Sequence, residues 1–349
     1  MRIVENSIPQ GYDLGYSAKM RVCIVGAGAI GGLLGVRLAV SGQQVSVLAR
    51  GDNLAAIRSH GMRLEGPDGS VIVATDLKAS NDLALLGPQD LVVLALKAQQ
   101  IAEIAHQLPL LYHEETVVLP LQNGVPWWFF QKFPGPFNGR RLQTLDPDGT
   151  LEQHIPVDRI VAAIAYPAAV RDGPGMFRLV EGDRFPVGEL DGERSNRATQ
   201  IAHVLTEAGF TSRVLTDIRS HLWVKAWGNL AMNPISALTG ATLAEICRYP
   251  PTRALAAQMM LESSEVAAKL GLHLRLTVEQ RIEGAEKVGD HKTSMLQDVE
   301  AARALEIDPL VGSFIELGQL TETAMPATEI VYSLVSLLSS RLAGKATSQ

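Results

Sequence analysis

Lys225, Asn229 and Asn233 stand four residues apart in HLWVKAWGNLAMNP, residues 221–234. On a helix each step of four turns the direction by only about 40°, so the three polar side chains share one stripe. They lie among Leu222, Trp223, Leu230 and Met232. A lysine and two amides are costly to bury without partners. One reading is a solvent-exposed lysine with packing or capping asparagines. The other is an ammonium held near a carbonyl, with the amides fixing the oxygens of a small molecule. An ammonium placed there stabilises charge developing on oxygen and can deliver a proton.

A second constellation lies in VCIVGAGAIGG, residues 22–32, where Gly26, Gly28 and Gly31 form G-x-G-x-x-G. The first glycine permits a tight turn, the second a close approach of backbone to pyrophosphate, and the third close packing of helix on strand. The free N–H groups at the start of the next helix, around Ala29 and Ile30, suit phosphate. Arg50 stands at the end of the second strand, where an acidic residue would favour the ribose of NAD and an arginine favours the 2′-phosphate of NADP. Asp52 lies beyond the strand end, so the spacing favours NADPH. Lys97 and Asn123 follow the apolar runs LVVLAL and VVLPLQ. Both therefore stand where open α/β sheets bind ligands, beyond the carboxyl ends of strands. In SMLQDVEAARALEID, residues 294–308, Ser294 precedes a helix as a candidate cap, and Glu306 precedes an apolar helix.

The elements that must position these residues are legible as patterns. Val22–Val25 reads as a buried strand, Ala29–Ser41 as a helix ended by Gly42, and Val45–Leu48 as a second strand. Leu91–Leu96, Val117–Leu121 and Ile160–Tyr166 are further apolar strands, which implies a parallel sheet covered on both faces. Phe177–Val180 and Val187–Leu190 read as a late hairpin or edge strands. Residues 134–158, rich in Gly, Pro and Asp, read as a loop excursion. Helical periodicity dominates from about residue 196. The expected organisation is a leader over 1–19, a dinucleotide-binding domain over 20–193 and a helical domain over 194–349. The leader admits two readings, an appended segment or a chain whose start is Met20.

With 349 residues and 46% hydrophobic composition, the chain can build two cores. Its net charge of −6 speaks against nucleic acid. Cys23 and Cys247 make no disulfide framework, which fits a reducing, cytoplasmic setting. No apolar run approaches the ~20 residues of a membrane span. The scattered histidines give no metal-ligand spacing. The apolar helices of the second half leave room for a homodimer interface.

Taken together, GAGAIGG, LALKAQQ, LQNG, LWVKAWGN with the following MNP, and SMLQD ending in EID resemble the ketopantoate reductase family, from about residue 20 to 335. The resemblance implies a Rossmann-type, doubly wound α/β domain joined to an all-helical domain, with the active site between them. It implies hydride transfer from NADPH to C2 of a 2-oxo acid, here 2-dehydropantoate, in pantothenate synthesis. It assigns Lys225 as general acid and Glu306 as its catalytic support. Asn123, Asn229, Asn233 and Ser294 match substrate-contacting positions. Gly26, Gly28, Ala29, Ile30, Gly31, Arg50, Lys97, Gln100 and Asn123 match the cofactor side.

Two departures stand out. Asn123 is followed by Gly124-Val125-Pro126-Trp127-Trp128-Phe129-Phe130 instead of small residues. These aromatics read either as packing for the excursion or as a pocket reshaped for a bulkier 2-oxo acid. Leu305 stands where the family often has a threonine able to cap. Other readings are a paralogue for another 2-oxo acid, a β-hydroxyacid dehydrogenase, and a non-catalytic NADPH sensor, which has no need of a proton donor.

Overall fold

The computed structural model describes residues 19–346. The expected leader therefore lies, apart from Lys19, outside the described residues. The chain opens β1 (Arg21–Val25), α1 (Ala29–Val40), β2 (Gln44–Leu48) and α2 (Gly51–His60). Three strands follow, β3 (Met62–Glu65), β4 (Val71–Ala74) and β5 (Leu77–Ser80). Then come β6 (Leu91–Leu94), α3 (Ala98–Ile104), β7 (Val117–Pro120) and a short α4 (Thr150–His154). The first half closes with β8 (Ala162–Ala163), β9 (Ala168–Gly173), β10 (Met176–Glu181), β11 (Val187–Gly188) and α5 (Asn196–Glu207). The rest is helical: α6 (Ile218–Thr239), α7 (Leu243–Arg248), α8 (Pro250–Lys269), α9 (Val278–Lys287), α10 (Ser294–Glu300), α11 (Ser313–Leu320) and α12 (Pro326–Ala346). Among the described residues no helix is long and apolar enough to cross a membrane.

The main sheet is parallel, in the order β5-β2-β1-β6-β7. Alternation along β1 explains its two covered faces. Val22 and Ile24 face a core shared with α1 and α5, while Cys23 and Val25 face one shared with the helical half. The apolar face of α5, including Ile201 and Leu205, is thus buried on the sheet. The helices that stand apart from the sheet begin with α6.

Two sequence expectations are corrected. Phe177–Val180 and Val187–Leu190 do not pair with each other. The first lies in β10, which runs antiparallel to β9 and parallel to β3; β11 pairs antiparallel with β8. Its partner is chosen by packing: Gly32 on α1 leaves room for the Phe177 ring, which a Cβ there would meet at 2.2 Å. The expected strand over 160–166 is reduced to Ala162–Ala163, with a single parallel bridge from Ile160 to Val118.

The aromatic run is packing. Trp128, Phe129 and Phe130 are fully buried, and none of Trp127–Phe130 lines the cleft described below. Phe129 packs against Trp223 of α6 with ring centroids 5.8 Å apart, and Trp223 against Phe314 of α11 at 5.0 Å. The buried Arg219 of α6 donates to the carbonyls of Phe129, Gln131 and Leu190. Burial pushes its pKa down to about 10. The excursion that follows is docked on α11, where Glu316 accepts from the Gln143 and Thr144 amides at 2.7 and 2.8 Å. The run therefore cements the sheet to the helical half. Trp128→Ala should lower the unfolding free energy by about 3–5 kcal/mol, measured by urea denaturation; a change below about 1 kcal/mol would contradict this packing role.

Candidate active site

The carboxyl ends of β1, β6 and β7 face α6, α10 and the segment before α11 across a cleft of about 850 Å³. At its floor the glycine turn is sterically required. Gly26 has φ +110°, and a Cβ on Gly31 would lie 2.0 Å from the Gly26 carbonyl oxygen. Gly28 is the extended residue before α1 and makes no side-chain cap, so the first-turn N–H groups of α1 remain available to an anion. Gly26, Gly28, Ala29 and Ile30 line the cleft; Gly31 lies beneath it. This cradle fits a dinucleotide pyrophosphate. Arg50 is exposed as the residue before α2 and lines the cleft; its carbonyl accepts from Leu54 N–H, while its guanidinium has no hydrogen-bond or ion-pair partner among the described residues.

The lysine–asparagine stripe forms as its spacing requires, because α6 runs unbroken through all three positions. Lys225 Nζ donates to Asn123 Oδ1 at 2.8 Å and to the Ala165 carbonyl at 2.5 Å. Both acceptors belong to the sheet half, so this ammonium ties α6 to the strand ends. Burial pushes its pKa down to about 8, with Glu306 opposing the shift. The Glu306 carboxyl is held above its ordinary value by burial, opposed by Lys97 and by the Ala98 amide that it accepts at 3.3 Å. Both groups line the cleft. They form a desolvated acid–base pair in which each favours the other's charged form.

Asn123 is set by the turn after β7, where Val125 N–H donates to the Pro309 carbonyl at 2.9 Å. Pro309 lies in a π-helical turn, Asp308–Gly312, directly before α11. Asn229 lines the cleft beside Lys225. Asn233 is buried below the wall and reaches the site through Ser294, donating to its Oγ at 3.4 Å. Ser294 is not the cap of α10. Thr293 is, accepting from Leu296 N–H, which leaves the Ser294 hydroxyl facing the cleft. Leu305 contributes by burial in the core beside Glu306 instead of by capping.

Lys97 and Gln100 also line the cleft. Gln100 accepts from the Lys97 amide at 3.3 Å. Lys97 Nζ crosses to the helical half, where it meets Asp298 at 2.7 Å and the Ala304 carbonyl at 2.7 Å. Sequence reasoning did not assign Asp298, although it stands within SMLQD. It also missed Asn53, which donates to the Ala27 carbonyl at 3.0 Å and accepts from Gly175 N–H at 2.7 Å. A polar residue in the first turn of α2 is the signal that pointed to it. Tyr166, next to Ala165, completes the wall.

The sequence comparisons agree with this geometry. Residues 22–192 match the family model "Ketopantoate reductase PanE/ApbA" and residues 217–339 match its C-terminal counterpart. The chain belongs to the ketopantoate reductase family. It is 47% identical to the 2-dehydropantoate 2-reductase of Mesorhizobium japonicum, over 91% of this chain and 98% of that protein. A solved structure from Ralstonia solanacearum, assigned as a ketopantoate reductase, is 38% identical, with TM-score 0.88 over 93% of this chain and 99% of that one. The 2-dehydropantoate 2-reductase of Geobacter metallireducens is 26% identical, with TM-score 0.79 over 91% and 99%. The chain is an NAD(P)-dependent oxidoreductase of this family.

The folded chain holds Lys225 near pKa 8, below the 10.5 of a free lysine. It therefore releases that proton before the unfolded chain does, and this residue's contribution to stability rises from about pH 8 to 10.5. Urea denaturation across that range should show the rise in the wild type and not in Lys225→Met. Equal slopes in the two proteins would contradict a desolvated lysine.

Proposed function

We propose that the protein reduces 2-dehydropantoate to pantoate with NADPH, Lys225 acting as general acid. The observation that carries this reading is the half-buried ammonium between Asn123 and Ala165, facing the cleft. When bound, NADPH supplies the hydride for the C2 carbonyl carbon. Gly26, Gly28 and the first turn of α1 hold its pyrophosphate, and Arg50 its 2′-phosphate. Lys97 and Gln100 border the same end of the cleft.

Reduction of a carbonyl puts negative charge on its oxygen. Lys225 Nζ stabilises that charge and then donates its proton to the oxygen. A pKa of about 8 keeps the group protonated near neutrality while making it a better donor than an ordinary lysine. Glu306 accepts from the hydroxyl as it forms, and its charge favours the ammonium. Asn123 orients Lys225, while Asn229 and Ser294, the latter supported by Asn233, hold the remaining polar atoms of the substrate. The aromatic run lies in the core. Its departure from the family pattern therefore gives no reason to invoke a bulkier acid.

The direct test follows NADPH oxidation with 2-dehydropantoate beside branched, aromatic and long-chain 2-oxo acids. 2-Dehydropantoate should give the highest kcat/KM, and Lys225→Ala should lower kcat on the order of 10²–10⁴-fold. A better aromatic acid, or an unchanged kcat in the variant, would overturn the assignment. Arg50→Ala should weaken NADPH about 10–100-fold, as loss of a charge-assisted contact does, and leave NADH unchanged. Equal loss for both cofactors would refute the 2′-phosphate contact.

A further inference from the structure

The last long helix, α12, is apolar on two sides. Val331 and Val335 are buried in the helical core, with Leu338 and Leu342 packed against it. On the other side Ile330, Leu334 and Leu337 are 63%, 52% and 62% exposed. Steps of four and three keep these three on one stripe. Residues 330–340, IVYSLVSLLSS, carry no charge. Leu261 of α8 is also exposed, next to Glu262, whose carboxylate accepts from the Ala327 and Thr328 amides that open α12. Single exposed apolar side chains are ordinary. A continuous stripe on a helix that is apolar all round marks a surface that is covered in use.

The charges at the two ends of the stripe say what covers it. Glu329 stands just before the stripe and Arg341 at its end. Both are exposed, and neither side chain has a hydrogen-bond or ion-pair partner among the described residues. Twelve residues of helix put them about 18 Å apart. Val335 is the midpoint between them. A two-fold axis at that level lays a second α12 antiparallel on the first. Glu329 of one copy then falls beside the partner's Arg341, and the same pair repeats at the other end. Leu334 and Leu337 meet across the axis. A parallel arrangement sets acid against acid and base against base, which opposes association. The stripe is therefore complementary to itself, in charge and in apolar surface, in the antiparallel sense.

We propose that this face joins two copies of the chain, α12 against α12 antiparallel about a two-fold axis. Ile330, Leu334 and Leu337 form the dry centre, and the Glu329–Arg341 pairs form the rim. The surface is separate from the chemistry, since none of these five residues lines the cleft. Two-fold symmetry places every one of these side chains in the interface twice, so a single substitution acts twice.

The test is sedimentation equilibrium of the full chain at micromolar concentration. The wild type should be a dimer. Leu334→Glu sets two carboxylates close together at the axis and should raise the dimer Kd at least about 100-fold. Glu329→Arg and Arg341→Glu, which leave the apolar stripe intact, should each raise it about tenfold, because each alone sets like charges together at both ends. The two combined restore opposite charges and should return Kd to near the wild-type value. That rescue is expected of antiparallel copies and not of a helix merely weakened in its own fold. A monomeric wild type, a dimer that Leu334→Glu leaves unchanged, or a double charge variant no tighter than the single ones would overturn the proposal. Dimerisation seen only after removal of residues 1–18 would also overturn it, and would assign the face to that segment.

Discussion

The structure depends on one desolvated ammonium. Lys225 sits on the long helix that begins the helical half, yet both of its hydrogen-bond acceptors, Asn123 and Ala165, come from the sheet half. A charge removed from water needs fixed partners. The ends of the sheet and α6 must therefore hold their relative positions to within a hydrogen bond. Much of the surrounding architecture serves that constraint. Val125 is tied to the π-helical turn at Pro309, Arg219 gathers three carbonyls, and aromatic rings fill the space between the sheet and α6.

The same cleft has a second crossing, with different consequences. Lys97 at the end of β6 pairs with Asp298 on α10. That crossing is an ion pair whose buried carboxylate is also held by Arg303, whereas Lys225 is held by two neutral acceptors. The Lys97 crossing thus rests on charge pairing, the Lys225 crossing on neutral acceptors. The Lys225 side is braced by the aromatic core.

What was legible in the sequence was local. The glycine turn could be read because each glycine answers a contact within the same strand–turn–helix unit, such as Gly31 against the Gly26 carbonyl. The Lys225–Asn229–Asn233 stripe could be read because helical period alone puts those side chains together. Long-range choices were not legible. β10 joins β3 because Phe177 fits over Gly32, more than a hundred residues away. Asp298 meets Lys97 only after the two halves are packed. Thr293 rather than Ser294 caps α10 by a one-residue choice that either side chain could have satisfied. The run Trp127–Phe130 had two readings until the core showed where the rings go.

The most direct measurement is the pH dependence of kcat for wild type and Asn123→Ala, with NADPH and 2-dehydropantoate saturating. Loss of the Lys225 proton should bend the wild-type profile downward above about pH 8. Asn123 accepts from the ammonium and so favours the charged form. Its removal should move that bend to lower pH. A wild-type profile that stays level to pH 10, or a bend that Asn123→Ala does not move, would contradict proton donation from Lys225 held in this way.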